Sequence, residues 1–593
     1  MCGIAGYLGR DPAGWLSEAA PALCAALRHR GPDAEGTYLA PSGRALLAHT
    51  RLSIVDLSPA GAQPMSVDGV RYLVFNGEIY NHPALREELE KEGEVFVSRS
   101  DTEVVLRLLS RRGWPALALL RGMFALALWD EREQSLLLAR DAFGMKPLHV
   151  ACTGGELAFA SELRALRHLL PGGVRLNHRG LADFLTWGCE GTTGLIDGVE
   201  SLPPGESWTW KDGRIERRLF SQIQPFSRES NTRLEDFRST WLESVALHFA
   251  GDVPVGLFLS GGIDSAAVLA AAVAGGRLPS QTLTLDFAGV GPGESRQASA
   301  IASHFGATHR VISLGAAELP VLFQEHLRAQ DRPSMDGFNV YCITHAARQQ
   351  NLKVVLTGLG GDELFGGYPS FRRIPLMVRL LRASRISRWA GPILGPMLPH
   401  LGSGRSARLA EWISGAPTWP RAYRSYRGIF PSSTVEDIVQ HMTGQPPVPP
   451  HLETLPWPEQ MDPRNRVACL EFKQYLQHQL LVDGDGCSMA LGVELRHPFL
   501  DEVLWRTAVS LPVARRYDPG KVVLRECLPE LPRELFERSK LGFSLPYDAW
   551  LAGPLADFRD YIPLEFRPLA QTWYQRVALI SLFHWLKHHR ISL

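Results

Sequence analysis

The spacing of apolar residues changes along the chain and divides it into two halves. In roughly the first 210 residues, apolar and polar positions alternate with a period of two between short helical stretches, which is typical of half-buried strands. Beyond residue 250, short apolar runs such as 255–259 and 353–357 alternate with helical patterns such as 294–305 and 339–350. This alternation predicts a parallel sheet with helices on both faces and ligands at the carboxyl ends of its strands.

A glycine-containing turn follows the first of these apolar runs. Residues 260–265 read Ser-Gly-Gly-Ile-Asp-Ser and lead into an alanine-rich helix. The two glycines allow a tight turn and a close approach of a ligand, while the first amides of the helix favour an anion. Asp264 stands where a Walker loop would have lysine, which makes sense if it holds Mg²⁺ beside phosphates. The segment resembles the pyrophosphate loop of ATP pyrophosphatases, which cleave ATP between the α and β phosphates.

A second glycine-rich segment follows the apolar run at 353–357. Residues 357–368 read Thr-Gly-Leu-Gly-Gly-Asp-Glu-Leu-Phe-Gly-Gly-Tyr. Because parallel strands end at the same edge of a sheet, we expect this segment to lie beside the first turn. Asp362 is then the natural second carboxylate for the Mg²⁺ expected at Asp264.

Composition restricts the function classes. The 593 residues contain 62 Lys plus Arg and 62 Asp plus Glu, so no net field favours a nucleic acid or an anionic membrane. The length indicates two to four domains. No apolar run reaches the length of a membrane span, and the N-terminus lacks the pattern of a signal peptide. The eight cysteines contain no Cys-x-x-Cys pair, so we expect reduced thiols and a cytoplasmic protein.

Cys2 directly follows the initiator methionine. Removal of Met1 leaves a thiol and a free α-amine on one residue, which is a nucleophile with its own base. If Met1 were retained, Cys2 would lack this amine, and any activity that depends on it should be lost. The N-terminal motifs resemble class II glutamine amidotransferase domains over nearly all of the first 210 residues, and they occur in this order: 1–6, 29–33, 49–54, 75–81 and 100–103. The resemblance implies a four-layer αββα sandwich of the N-terminal-nucleophile type.

The resemblance also implies a role for each residue of a glutamine site. Arg51 takes the α-carboxylate of glutamine with a two-pronged contact, and Asp101 takes the α-ammonium. The side-chain amide of Asn76 and the backbone N–H of Gly77 form the oxyanion hole for attack by Cys2. The final residue of the set, Glu78, also contacts glutamine.

The second half resembles the synthetase domain of glutamine-hydrolysing asparagine synthetases over about 233–551. The motifs are the two glycine-rich segments, 495–501, 521–526 and 538–546. The resemblance implies that Lys540 neutralises phosphate charge as pyrophosphate departs. It also implies an ATP site made of Leu259, Ser260, Gly261, Gly262, Asp264, Ser265, Leu285, Thr357, Gly358 and Asp362. We expect a glutaminase domain at 1–212, a linker at 213–232 and an ATP-pyrophosphatase domain at 233–593 with a helical insertion at about 370–460.

Together the halves imply one reaction. Glutamine hydrolysis at Cys2 supplies ammonia through an internal tunnel to an acyl-adenylate made from ATP and L-aspartate, and the products are asparagine, glutamate, AMP and pyrophosphate. Three alternatives are a phosphoribosyl or sugar-phosphate amidotransferase, a non-enzymatic relative, and the same chemistry on another carboxylate. The pyrophosphate loop argues against the first, and the intact site residues argue against the second. Nucleic acid and membrane partners are not expected, and a homodimer is left open.

Departures from the family pattern keep the third alternative open. Asparagine synthetases usually carry an acid where this chain has Leu359, and leucine cannot accept a proton from attacking ammonia. The family often has a lysine and an arginine where Asp483 and Gly486 stand, so two positive charges near a dianionic substrate are lost. Glu363 is near enough in sequence to substitute for the missing acid at the acceptor site.

Overall fold

The structure is a computed structural model. It describes residues 2–9, 14–170, 173–191, 193–227, 232–287, 293–383, 404–446, 457, 460–536 and 545–591. The strands are β1 (Gly3–Leu8), β2 (Ala34–Leu39), β3 (Ala45–Arg51), β4 (Arg71–Ile79), β5 (Gly122–Asp130), β6 (Ser135–Arg140), β7 (His149–Thr153), β8 (Glu156–Ala160), β9 (Val199–Ser201), β10 (Glu206–Lys211), β11 (Arg214–Leu219), β12 (Val255–Phe258), β13 (Thr282–Phe287), β14 (His309–Leu314), β15 (Val354–Leu356) and β16 (Glu494–Arg496).

The helices are distributed over both halves. They are α1 (Trp15–Leu27), α2 (His82–Lys91), α3 (Asp101–Arg112), α4 (Leu163–Leu166), α5 (His178–Trp187), α6 (Leu234–Leu247), α7 (Ile263–Ala274), α8 (Gly293–His304), α9 (Leu319–Ala329), α10 (Phe338–Gln349), α11 (Gly361–Phe365), α12 (Ser370–Ala383), α13 (Gly404–Ile413), α14 (Trp419–Arg427), α15 (Ser432–Thr443), α16 (Pro463–Leu470), α17 (Leu481–Met489), α18 (Glu502–Val509), α19 (Val513–Arg516), α20 (Val522–Cys527), α21 (Tyr547–Ala552) and α22 (Trp573–His589). A π-helical segment, Glu471–Leu480, joins α16 to α17.

The N-terminal half is a sandwich of two antiparallel sheets. One has the order β2-β3-β1-β8-β7-β9 and the other β11-β10-β6-β5-β4. Their facing surfaces share one apolar core, which includes Ile4, Trp129 and Trp208. Helix α1 packs on the outer face of the first sheet, and α2 and α3 pack on that of the second. The predicted αββα sandwich is confirmed, and Cys2 directly precedes β1, an inner strand of the first sheet.

The C-terminal half contains a five-stranded parallel sheet with the order β14-β13-β12-β15-β16. Helices α6, α7 and α8 pack against one face, on apolar side chains of β12 and β15. Helix α10 covers the other face through Ile343 and Ala347. The predicted doubly wound sheet is therefore confirmed, and the two glycine-rich turns follow its adjacent strands β12 and β15.

The expected linker at 213–232 differs from the structure at its start. Residues Arg214–Leu219 form strand β11, which pairs antiparallel with β10 at the edge of the second sheet. The segment is rich in charge because an edge strand with one solvent-facing side tolerates charged residues, which also discourage pairing with other chains. Ile215 packs against the apolar core, and the Arg217 guanidinium lies 4.0 Å from the ring centroid of Trp208. Within the expected insertion, the described residues form helices α12 to α15.

Candidate active site

The residues expected to bind glutamine meet in one pocket of the N-terminal half. Cys2, Arg51, Gly77, Glu78 and Asp101 all line this cavity of about 360 Å³. Pairing of β1 with β3 brings the first residues of the chain beside Arg51 at the end of β3. Burial raises the pKa of the Cys2 thiol, so the thiol needs a base to become a nucleophile.

Asn76 lies behind the pocket on β4. Its side-chain oxygen accepts a hydrogen bond from the backbone nitrogen of Cys2 at 3.1 Å, which ties the nucleophile to the neighbouring sheet. The Nδ2 atom of Asn76 is buried and has no acceptor among the described residues. A buried donor without an acceptor is costly unless a ligand supplies one. Asn76 therefore has the chemistry of an oxyanion-hole donor beside Cys2.

The lining of the pocket includes two residues of opposite charge, Arg51 and Asp101. The Arg51 guanidinium is held by the backbone oxygens of Ser58, at 2.8 Å from Nη1, and of Asp56. Asp101 is the first residue of α3, and its Oδ2 accepts from the backbone nitrogen of Ile79 at 3.0 Å. Burial raises the pKa of Asp101 to about 6, although the backbone hydrogen bonds oppose the shift. The two side chains suit the α-carboxylate and the α-ammonium of an amino acid.

The C-terminal half also reaches this pocket. Glu494, the first residue of β16, is one of the lining residues and is fully buried. Arg496 donates to Glu494 Oε1 at 2.6 Å and to Glu78 Oε2 at 3.1 Å, so it joins the two halves. Sequence reasoning included Arg496 in a family motif without a role and missed Glu494, because nothing in the strand sequence indicates which element it faces.

The two glycine-rich turns pack directly against each other at the carboxyl edge of the parallel sheet. A Cβ atom added to Gly358 would lie 2.7 Å from the backbone nitrogen of Ser265, and one added to Gly361 would lie 2.5 Å from Asp264 Oδ1. Glycine is therefore required by contact between the loops. The hydroxyls of Ser260 and Ser265 lie 3.0 Å apart and fix the first turn. The expected juxtaposition of the two segments is present.

Lys521 bridges the two carboxylates expected to hold a metal ion. Its Nζ lies 2.5 Å from both oxygens of Asp264 and 2.6 Å from Asp362 Oδ1. Burial opposes the charge of Lys521, but the two carboxylates outweigh it and raise the pKa of this lysine. Both acids thus contact a single cationic group. Two carboxylates, with phosphates and water as the remaining ligands, also fit the usual coordination of Mg²⁺. Sequence spacing could not reveal this contact, because Lys521 is more than 150 residues from either acid.

Other residues assigned to the nucleotide lie around these loops. Leu259 is buried after β12, and Leu285 is half-buried on β13. Thr357 Oγ1 lies 2.7 Å from His497 Nδ1, and the backbone nitrogen of Leu359 donates to the same hydroxyl at 3.3 Å. Lys540 lies outside the described residues.

The residues named for the acceptor differ in surroundings. Leu359 is partly buried and packs against the apolar core of the C-terminal half. Glu363 is fully buried and accepts a hydrogen bond from Tyr368 at 2.7 Å. Burial, followed by the charge of Asp362, raises the pKa of Glu363 to about 7. Asp483 is also buried, and its Oδ2 accepts from the Ser334 hydroxyl at 2.9 Å.

A larger cavity of about 550 Å³ lies between the two halves. Both halves supply its walls, with Arg30 and Met145 from the first and Asp483 and Gly486 from the second. Arg30 connects this cavity to the glutamine pocket, because its Nε donates to the backbone oxygen of Cys2 at 3.1 Å. Arg30 thus contacts Cys2 and also lines the cavity, which reaches the helix that carries the two departures from the family pattern.

Comparisons with known proteins agree with this arrangement. Residues 1–221 match the family described as glutamine amidotransferase domain, and residues 236–578 match that described as asparagine synthase. Asparagine synthetase [glutamine-hydrolyzing] 1 of Bacillus subtilis is 30% identical, with 94% of this chain and 89% of that protein covered. Asparagine synthetase B of Escherichia coli is 33% identical over 63% of this chain and 66% of that protein.

A relative with a different name is similar over a comparable length. Amidase chry2 of Gibberella zeae is 29% identical, with 89% of this chain and 85% of that protein covered. Among the described residues, no helix has the length and apolar character needed to cross a membrane.

Proposed function

The chain belongs to the glutamine-hydrolysing asparagine synthetase family and is an ATP-dependent ligase that uses glutamine, and from this premise we propose the roles of its residues and its acceptor. One observation carries the proposal. The residues expected to bind glutamine meet in one pocket, while the carboxylates of Asp264 and Asp362 both contact Lys521 at the pyrophosphate loop. Our first proposal is that L-aspartate is the acceptor and asparagine the product.

We assign the first half-reaction to the glutamine pocket. Arg51 and Asp101 hold the two charged ends of the substrate, so that its side-chain amide reaches the Cys2 thiol. The α-amine of Cys2 takes the thiol proton, and Asn76 Nδ2 with the Gly77 N–H stabilises the oxyanion that forms. The α-amine returns this proton to the leaving nitrogen as the intermediate collapses, so ammonia departs into the cavity between the halves and a thioester remains on Cys2. Water then hydrolyses the thioester and releases glutamate.

We assign adenylation of the acceptor to the two loops. The turn at 260–265 directs backbone N–H groups and the start of α7 at the phosphates. Asp264 and Asp362 would hold Mg²⁺, which when bound would offset the negative charge of the phosphates. Lys521 then leaves its position between the carboxylates and faces the phosphates instead, while Lys540 screens the departing pyrophosphate.

The interdomain cavity is our candidate path for ammonia. Free ammonia in water would be protonated and diluted, whereas the cavity passes from the side of Cys2 to helix α17. Arg30 and Asp485 line this cavity, and Lys146 joins them in a buried polar cluster, with Lys146 Nζ 3.3 Å from Asp485 Oδ1. These groups hold the two halves together around the path.

A second candidate is the same chemistry on a different carboxylate, from a glycan or secondary-metabolite pathway. The observation that favours it is the combination of Leu359 and the buried carboxyl of Asp483. Burial and the nearby Asp336 raise the pKa of Asp483 well above its usual value, and the charge of Arg332 opposes this shift. Such surroundings suit an aspartate substrate less well than the lysine usual at this position. Glu363 is our candidate for the base in either case.

The donor half is tested with Cys2→Ala. We expect this variant to lose AMP formation with glutamine and to keep it with ammonium salts, because ammonia still intercepts the acyl-adenylate. AMP is measured with each nitrogen source, and mass spectrometry checks that Met1 is absent from the parent enzyme. Full glutamine-dependent turnover in Cys2→Ala would refute the assignment.

The acceptor is tested by a screen of carboxylic acids for pyrophosphate release with ATP, Mg²⁺ and glutamine. Asparagine formation from L-aspartate at a rate equal to the best acid supports the first candidate and ends the second. No turnover of aspartate, together with turnover of another acid, ends the first. In that case Leu359→Glu tests whether restoring the acid brings aspartate activity.

A further inference from the structure

The last strand of the parallel sheet supplies part of the glutamine pocket. Strand β16 pairs with β15 in parallel register, Val354 with Glu494 and Leu356 with Arg496. The backbone nitrogen of Thr357 also donates to the Arg496 oxygen at 2.9 Å. The strand is therefore rigidly attached to the C-terminal half, yet Glu494 lies among the residues that surround Cys2.

Arg496 fixes the carboxylates on this side of the pocket. Besides Glu494 and Glu78, its guanidinium contacts the backbone oxygens of His248, at 2.9 Å, and of Ala250. Two of these partners are strand residues and two are backbone oxygens just beyond helix α6, and the Arg496 side chain has no exposed surface. A planar guanidinium held on several sides orients the carboxylates that it pairs with.

The charges around the pocket are unequal. Three buried carboxylates, Asp101, Glu78 and Glu494, belong to its lining, whereas Arg496 contacts two of them. Arg51 is engaged with the oxygens of Ser58 and Asp56. One of the two carboxylate oxygens of Glu78, Oε1, is buried without a hydrogen-bond donor among the described residues. Burial, followed by the charge of Asp101, raises the pKa of Glu78 well above its usual value, so a ligand that brings a positive charge here would stabilise the ionised form of these carboxyl groups.

We propose that Glu494 is a glutamine-binding residue contributed by the synthetase half, and that it shares the α-ammonium of glutamine with Asp101. Arg496 is a positioning residue that orients Glu494 and Glu78 toward that ammonium. The inference rests on the proposed assignment of this pocket to glutamine. It means that the residues of the N-terminal half alone form an incomplete glutamine site.

The test compares two ligands that differ only in the ammonium group. In a Cys2→Ala background, which prevents turnover, calorimetry gives the Kd of L-glutamine and of glutaramic acid, which is glutamine without its α-amino group. We expect Glu494→Gln to weaken glutamine binding by about 10- to 100-fold, as for loss of one charged hydrogen bond. The Kd of glutaramic acid should change by less than about threefold, because this ligand has no ammonium to lose.

Two other variants separate binding from structure. Glu494→Asp keeps the charge and should weaken glutamine binding less than Glu494→Gln, so the result does not depend on one variant. Arg496→Lys keeps the charge but loses the fork, and we expect it to weaken glutamine more than glutaramic acid. Arg121→Gln is the matched control: it removes an interdomain pair with Asp501, 2.6 Å apart, whose residues do not line the pocket.

The outcomes separate the inference from the proposed function. An equal loss of affinity for both ligands in Glu494→Gln, or no loss of affinity, would overturn the role of Glu494. Glutamate release by the parent enzyme would still support the glutaminase assignment. Absence of glutamate release by the parent enzyme would instead refute the proposed function. A loss of glutamine affinity in Arg121→Gln as large as that in Glu494→Gln would also overturn the inference, because breaking any interdomain ion pair would then weaken glutamine binding.

Discussion

Asp101 is a buried residue whose proposed role requires a negatively charged carboxylate. Its pKa is raised to about 6, mainly by burial. A carboxyl must be ionised to hold the α-ammonium of glutamine, and below pH 6 most of the free enzyme carries this group protonated. We therefore expect kcat/KM for glutamine to fall about tenfold per pH unit below pH 6, since this parameter reports the pKa of the free enzyme.

Glutamate release measured between pH 4.5 and 8 checks this expectation. In Asp101→Asn the acid limb should disappear from a lower and flatter profile. An acid limb of the same midpoint in the variant would assign the titration to another group.

Asp264 is a second residue whose role can be isolated. We expect Asp264→Asn to abolish AMP and pyrophosphate formation with both glutamine and ammonium, because the loop loses half of its cation ligands. Glutamate release should persist, since this site is separate from Cys2. Asp437→Asn, an exposed acid on α15, is the control. Formation of AMP at the normal rate, or of ADP and phosphate, would mean that the loop has another function.

At this scale the sequence is informative where a residue belongs to a local motif. Cys2, Arg51 and Asp101 are assigned from short ordered motifs, and the structure brings them to one pocket. Lys521 and Glu494 are not, because their partners come from distant parts of the chain. A motif records which residue types occur, whereas a contact depends on how separate elements pack.

Helix α17 is the element whose residues bear on acceptor specificity. It follows ten π-helical residues, a rare geometry that is frequent at functional sites. Asp483 and Gly486 line the interdomain cavity from its surface, whereas Gly484 does not. A Cβ atom added at either glycine would meet no heavy atom within 4 Å. A side chain at position 486 can therefore begin toward the cavity without a clash at its Cβ atom.

This geometry predicts that Gly486→Phe uncouples the two half-reactions. A phenyl ring in the cavity should obstruct ammonia, while the glutamine pocket and the pyrophosphate loops remain intact. We expect glutamate release to continue and the ratio of glutamate to AMP to rise severalfold above that of the parent enzyme. Both products are measured in one assay, with Gly484→Ala as the control. An unchanged ratio would exclude this cavity as the path.

Strand β11 illustrates what element-level prediction misses. Its mixed charges resemble a linker in sequence, yet the backbone pairs with β10 over six residues. Strands β12 and β15 of the other half are predicted because each lies in a mainly apolar run between helical patterns, whereas β16, with the sequence Glu-Leu-Arg, carries no such signal. An edge strand has one neighbour and little burial, so its sequence carries a weaker signal.

Across the whole molecule, buried ion pairs join the two halves. Arg30 contacts Glu162 and Asp485, each at 2.8 Å, as well as the backbone oxygen of Cys2. Its side chain is 1% exposed, so its removal would leave two buried carboxylates without this cation. Breaking a buried pair in this way costs about 3–5 kcal/mol.

We therefore expect Arg30→Met to lower the free energy of unfolding by about that amount, as measured by urea denaturation. The matched control is Arg28→Met, because Arg28 pairs with Glu35 at 3.0 Å on the surface, with both side chains more than half exposed. Such a pair contributes about 0–1 kcal/mol. Equal effects of the two substitutions would contradict a structural role for the buried cluster.

Strand β16 also bears on how such enzymes diversify by recombination. A glutaminase half transferred by gene fusion to a foreign synthetase would keep Cys2, Arg51 and Asp101 but lose the wall that Glu494 supplies. The new partner would have to present an acid at the same strand position for the ancestral pocket to be rebuilt. Lineages of this architecture are therefore expected to inherit both halves together and to change acceptors by substitutions around α17.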